Sequence, residues 1–342
     1  MTRRICLALS HSIEEYDQLR LLHEIGHEVT SLGGYIDPAH PHDDKRLALP
    51  EVPMVQVVKD AVDGIGAPDN LAAAQERIPD AVLDWADTII YHHYLHRLYG
   101  QWPRIADWLR GDPSRRVIWR TVGQSVDGNE RDAQQFHREG MEIVRYSPKE
   151  RNIPNFAGQD ALIRFYKDPA EWHGWTGSDA VVGNVTQNLL QRDPYTNFGF
   201  WRDATEGLPT LPAGPGSNAI GGLGSLDYHE MQAYLRRIRC YLYTGTQPAS
   251  YTLGLIEAMM TGVPVVSIGP SHMQLFPYVP DMFEGHTIAW FWNDDAQMVR
   301  GALQHLLSHP DEAQEHSRWM RERAIDLFGK DEIKAEWAAY LA

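Results

Sequence analysis

At 342 residues, with 43% apolar and 23% charged side chains, the chain has the make-up of a soluble globular protein and the length of two domains of roughly 150 residues. Its formal charge of −15 argues against a surface built mainly to hold polyanions. No apolar stretch approaches the roughly 20 residues needed to span a bilayer, and MTRRICLALS is too short an apolar run for a signal peptide before Ser10, His11 and Ser12 stop it. Cys6 and Cys240, the only cysteines, lie in strand-like runs (ICLAL and CYLY) and read as buried, reduced thiols. The expectation is a cytoplasmic protein.

In chain order, residues 3–9 read as a buried strand. Residues 13–25 place Ile13, Tyr16, Leu19, Leu22 and Ile25 at helical spacing, with Ser12 as N-cap and Gly26 as stop. HEVTSLGG supplies the next strand and turn, giving a βαβ unit and hence a parallel sheet. Residues 36–80, rich in Pro, Asp and Ala, give a weak signal, read as a strand at 54–58 and a helix at 70–78. Strand 86–92, a helix through WPRIADWLRG, strand 115–122, helix 129–139 and strand 141–147 complete a first open α/β sheet. The Pro- and Gly-bearing stretch 148–180 reads as a connection. A second series follows: strand 180–185, an irregular aromatic region, a strand and turn at 209–216, helix 227–238, strand 240–245, helix 252–261 and strand 263–269. Helices at 295–307, 311–327 and 331–341 close the chain. Arg236, Arg237 and Arg239 form a small basic cluster that reads as a solvated helix face.

The window YTGTQPASYTLGLIEAMMTGVPVVSIG, residues 243–269, carries the most chemistry. A strand ends at Thr244-Gly245, a loop follows, and a helix opens near Ser250, Tyr251 and Thr252. A helix N-terminus at the C-terminal edge of a parallel sheet is an anion site, suited to a phosphate or diphosphate. Glu257 stands in the middle of an otherwise apolar helix. A carboxylate there must accept hydrogen bonds to be buried, and the vicinal hydroxyls of a ribose are a fitting pair of donors.

ASYTLGLIEAMMTGVPVV resembles the nucleotide-sugar signature of retaining GT-B glycosyltransferases. In that family two glutamates lie eight positions apart ahead of Ala-Met and a Gly-x-Pro-Val-Val strand. Glu257 matches the second, which in the family binds the donor ribose. The first falls on Ala249, where the family's contact to the transferred sugar is missing, and Thr252 replaces the usual Gly. GHEV at 26–29, ADTIIYHHY at 86–94 and DLFGKDEIKAEWAAYL at the C-terminus are similar to further stretches of the family. The resemblance implies two Rossmann-like α/β domains facing a cleft, with a C-terminal helix crossing back to the N-domain. It places residues 1–167 on the acceptor side, 168–325 on the donor side, and 326–342 as the closing helix. It also implies His92 as the catalytic histidine, with His11 and His93 on the acceptor side. Gly245, Ser250, Tyr251, Thr252, Glu257, Asn184 and Arg192 would bind the donor.

The implied reaction moves a sugar from a nucleotide diphosphate sugar, UDP-linked in the first instance, to an acceptor hydroxyl, with retention and without an obligatory cofactor or metal. The acceptor is left open among small molecules, glycans, proteins and hydroxylated nucleobases in DNA. A sugar-nucleotide epimerase or hydrolase, or a non-catalytic nucleotide-sugar-binding protein, stays as the alternative. His23-Glu24-Ile25-Gly26-His27 is a literal H-E-x-x-H pattern of zinc proteases, but a helix that ends on Gly26 explains it better. AGPGSNAIGGLGS lacks the Gly-Lys-Ser/Thr ending of a P-loop and reads as a strand-end turn near the donor. Asn184-Val-Thr is a formal glycosylation acceptor without meaning in the cytoplasm.

Overall fold

The structure, a computed structural model, describes residues 2–8, 11–36, 46–92, 95–123, 126–273, 278–284 and 291–342. The elements in chain order are β1 (Arg4–Ala8), α1 (Ser12–Ile25), β2 (Glu28–Ser31), α2 (Gln56–Asp63), α3 (Asn70–Glu76), α4 (Asp80–Trp85), β3 (Thr88–His92), α5 (His96–Tyr99), α6 (Trp102–Arg110), β4 (Arg116–Arg120), α7 (Asp127–Arg138), β5 (Glu142–Arg145) and β6 (Ala161–Leu162). There follow β7 (Asp179–Val185), α8 (Phe198–Thr205), β8 (Thr210–Ala213), α9 (Tyr228–Arg237), β9 (Ile238–Tyr243), α10 (Leu253–Thr261), β10 (Val265–Ile268), α11 (Val279–Met282), β11 (Trp292–Asn293), α12 (Ala296–Ser308), α13 (Pro310–Phe328) and α14 (Lys330–Leu341).

The chain folds into two compact units, Met1–Ile163 with Lys334–Ala342, and Arg164–Ile333. In the first, a six-stranded sheet runs β2-β1-β3-β4-β5-β6 with every pairing parallel. Parallel strands need both faces covered, and Ile5, Cys6, Leu7, Ile89, Ile90, Val117 and Ile118 are all fully buried. The end of α14 belongs to this unit: Arg116 donates to the Tyr340 carbonyl (2.9 Å) and Arg3 to that of Leu341 (2.7 Å). In the second unit a five-stranded, all-parallel sheet runs β11-β10-β9-β7-β8. Cys6 and Cys240 are free and buried, one in each unit, and burial pushes both thiols up to about 12.

Residues 54–58 are a correction. They open a helix, not a strand, because Val58 and Val62, four apart, are the buried pair while Val57 stays 46% exposed. The short window holds three β-branched residues and hides that spacing. The aromatic region also contains a helix, α8, where irregular chain was expected.

Charge is buried deep in the first unit. Arg145, at the end of β5, makes a two-pronged pair with Glu130 on α7 (2.6 and 2.7 Å), all of it without solvent exposure. Glu150 lies beside it, its Oε2 accepting from Thr121 Oγ1 (3.0 Å) and from the backbone N–H groups of Tyr146 (3.0 Å) and Ser147 (3.1 Å). Burial pushes the Glu150 carboxyl from its ordinary 4.5 up to about 7, against the pull of Arg145. A raised carboxyl keeps its proton longer in the folded state. Its contribution to stability therefore falls as pH climbs from about 4.5 to about 7 and is flat outside that window. Urea unfolding of the parent and Glu150→Gln across pH 4–8 should show the difference moving toward the variant by on the order of 3 kcal/mol inside the window. A pH-independent difference would exclude the shifted carboxyl.

Candidate functional site

The strand order of each unit reverses once, next to its first strand, and open α/β sheets bind ligands at that point, outside the C-terminal strand ends. In the second unit the reversal lies between β7 and β9. β9, IRCYLY, ends on a turn at Thr244-Gly245 and the chain then enters α10. Thr252 is the N-cap: its backbone is extended and its side chain accepts from the Leu255 N–H at 3.4 Å. α10 comes so close to β7 that a Cβ on Gly254 would stand 3.4 Å from the Val185 carbonyl oxygen. The free N–H groups and positive end of the helix thus open beside the end of β7.

Asn184 sits on that strand end. It donates through Nδ2 to the Leu242 carbonyl (2.8 Å), and its own N–H is taken by the Tyr234 hydroxyl (3.1 Å). Its Oδ1 and the Thr244 Oγ1 are buried and have no hydrogen-bond partner among the described residues. Two orphaned polar atoms at one sheet edge mark a place where a ligand group can satisfy them. Tyr251 is 1% exposed, and its ring packs on Phe165, Tyr278 and Phe328 with centroids 5.8, 5.7 and 5.3 Å away, so its side chain belongs to the core. Ser250 is buried and its carbonyl accepts from Tyr278 N–H (3.2 Å). Arg192 lies in the turn beyond β7, its Nη1 3.5 Å from the Gln187 carbonyl. The Ala249 N–H closes a turn onto the Thr246 carbonyl at 2.7 Å.

Glu257 is 4% exposed, and its Oε1 meets Lys167 Nζ at 2.9 Å. The lysine is buried as deeply, at 1%. Its backbone N–H donates to the Phe328 carbonyl (2.9 Å), it bridges to Gly329, and its ammonium stands 5.9 Å over the Trp172 ring. Arg321 holds the chain just beyond, donating to the carbonyls of Trp172 (2.6 Å) and Pro169 (2.9 Å). Sequence reasoning missed Lys167. The one signal for it was the requirement that a carboxylate inside an apolar helix find hydrogen-bond donors.

In the first unit the reversal lies between β1 and β3. His92 is the last residue of β3, 2% exposed and opposite Arg120 of β4. Arg120 in turn reaches Glu14 at 3.7 Å. His11 follows β1 and caps α1, its Nδ1 3.4 Å from the Glu14 N–H. Both lie at that sheet's C-terminal edge. His93 lies outside the described residues. The H-E-x-x-H pattern does not form a metal pair: α1 ends at Ile25, Gly26 takes the left-handed cap (φ 102°), and His27 instead accepts the Arg3 N–H at 3.2 Å.

No family model and no curated protein matches the sequence. Solved structures do match the fold. The chain is similar to Anabaena Alr3699/HepE in complex with UDP-glucose, at 13% identity over 99% of both chains with a TM-score of 0.65. It is similar to a glycosyltransferase from Rickettsia africae ESF-5 at 11% identity, over 99% of this chain and 98% of that one, with a TM-score of 0.66. T4 phage BGT in complex with UDP and Mn2+ matches at 11% identity over 100% and 99%, with a TM-score of 0.53. At such identities the likeness is one of fold, and the two parallel-sheet units have the Rossmann-like α/β architecture of GT-B glycosyltransferases.

Proposed function

We propose that the chain is a glycosyltransferase that takes a sugar from a nucleotide diphosphate sugar. The observation that carries this is the C-terminal edge of the second sheet. There the Gly245 turn and the orphaned Oδ1 of Asn184 adjoin the N-terminus of α10, the helix that also holds Glu257. The diphosphate is taken by the α10 N–H groups and Arg192, and the ribose hydroxyls by Glu257, whose carboxylate Lys167 orients. The complex of Anabaena Alr3699/HepE with UDP-glucose supports a UDP-linked donor. In transfer the bond from the anomeric carbon to the diphosphate oxygen breaks and a bond to the acceptor oxygen forms. The acceptor proton leaves to the diphosphate oxygen on the same face, which gives retention, and His92 and His11 serve the sugar and acceptor side. Charge on the leaving diphosphate is stabilised by the helix N-terminus and Arg192 without an obligatory metal. The acceptor classes stay those named above. Among the described residues no helix is long and apolar enough to cross a membrane.

Ala249 favours a second reading, since it brings no carboxylate to the sugar: an epimerase or hydrolase of sugar nucleotides, or a binding protein. NMR of products after incubation with UDP-glucose and an acceptor panel separates transfer from hydrolysis and from binding alone. A thermal-shift screen over UDP-, GDP- and ADP-sugars tests the site itself, because a bound donor raises the melting temperature. Glu257→Gln should weaken donor binding at least tenfold; binding as tight as the parent's would remove the ribose assignment.

A further inference from the structure

The connection between α12 and α13 gathers three metal-ligating side chains. His305 lies in the last turn of α12, His309 is the residue between the helices, and Glu312 is in the first turn of α13, which Pro310 opens. One ligand atom from each falls within 4.8 Å of the others. His305 Nε2 and Glu312 Oε2 are 2.7 Å apart, and the two imidazoles stack with centroids 4.0 Å apart at 18°.

His309 is also arranged as a ligand. Its Nδ1 stands 2.9 Å from the His305 carbonyl oxygen. A carbonyl only accepts, so Nδ1 carries the proton and Nε2 keeps its lone pair. This is the second-shell bond that metal-bound histidines commonly make. The backbone N–H of His309 goes to the same carbonyl (2.9 Å), which fixes the residue.

We propose that His305, His309 and Glu312 bind one divalent transition-metal ion of the zinc class, with water in the fourth position. Bonds of about 2.0–2.1 Å to a tetrahedral ion place ligand atoms roughly 3.3 Å apart. The His305–Glu312 contact therefore opens by roughly half an ångström, and the ion replaces the shared proton. Two imidazoles and one carboxylate select zinc over magnesium or calcium, which prefer all-oxygen shells. The site is at the far edge of its unit from the α10 N-terminus: Arg239, the second residue of β9, reaches the Leu307 carbonyl at 3.4 Å. It takes no part in sugar transfer and staples α12 to α13.

Chelator-treated full-length protein, titrated with zinc chloride at pH 7.5 by calorimetry, should bind one equivalent, and millimolar magnesium should not displace it. His309→Ala and Glu312→Gln change exposed side chains, and each should keep the parent's metal-free melting temperature while binding zinc at least tenfold more weakly. Zinc should raise the melting temperature of the parent and not of the variants. Zinc binding by both variants as tight as the parent's, or none by the parent, overturns the proposal. Neither result touches the donor-site reading, which rests on other residues.

Discussion

Lys167→Met is expected to destabilise the second unit by about 3–5 kcal/mol, the usual cost of leaving a buried charge without its partner. The Nζ–Oε1 distance is 2.9 Å, and the two side chains are only 1% and 5% exposed. Removing the ammonium strands the Glu257 carboxylate in a helix whose other side chains are apolar or small. Removing both charges is a milder change, so Lys167→Met/Glu257→Met should recover most of the loss in a urea-unfolding cycle. A single variant that unfolds at the parental midpoint would show the pair to contribute nothing. The double variant has a second use. It should fold and fail to bind UDP-sugars, separating the structural role of the pair from the role proposed for Glu257 toward a ribose.

The second large effect is expected at Arg145, where methionine should cost the first unit about 3–5 kcal/mol and lower the yield of folded protein. The guanidinium pairs with both oxygens of Glu130 and also donates to the Gly158 carbonyl through Nε (3.0 Å) and Nη2 (2.9 Å). It stacks 5.2 Å from the Trp119 ring and 4.4 Å from that of Phe156. One side chain thus joins β5 to α7 and to residues 156–158. Arg145→Lys should rescue little, because an ammonium cannot span a carboxylate and a carbonyl with a planar fork. Full rescue by lysine, measured by urea midpoint, would mean that charge alone matters there.

Much of the architecture was legible because parallel strands buried on both faces read as apolar runs, and the helices between them carry their own stops, such as Gly26. The edge of the second sheet, where the donor is proposed to bind, was legible for a related reason. A strand-end glycine, a capping threonine and a lone glutamate occur within one short window, so local chemistry specified Gly245, Thr252 and Glu257 together. What stayed hidden depends on contacts between distant segments. Lys167 meets Glu257 only after the chain has laid down β7, β8 and β9. The packing of the Tyr251 ring against three aromatic neighbours from other segments was hidden for the same reason, and it leaves the proposed role of that residue to its backbone. The opening of α2 was misread because a helical spacing needs two turns to show, and only the first was weighed.

The two cysteines give each unit its own reporter of opening. Only a thiolate reacts with an alkylating reagent, and Cys6 and Cys240 are both buried with thiols held near 12. Either sulfur is labelled at an appreciable rate only when its own sheet comes apart. Peptide mass spectrometry after timed labelling then reads the two openings separately on one unmodified chain. An Arg145 lesion should surface at Cys6 and a Lys167 lesion at Cys240.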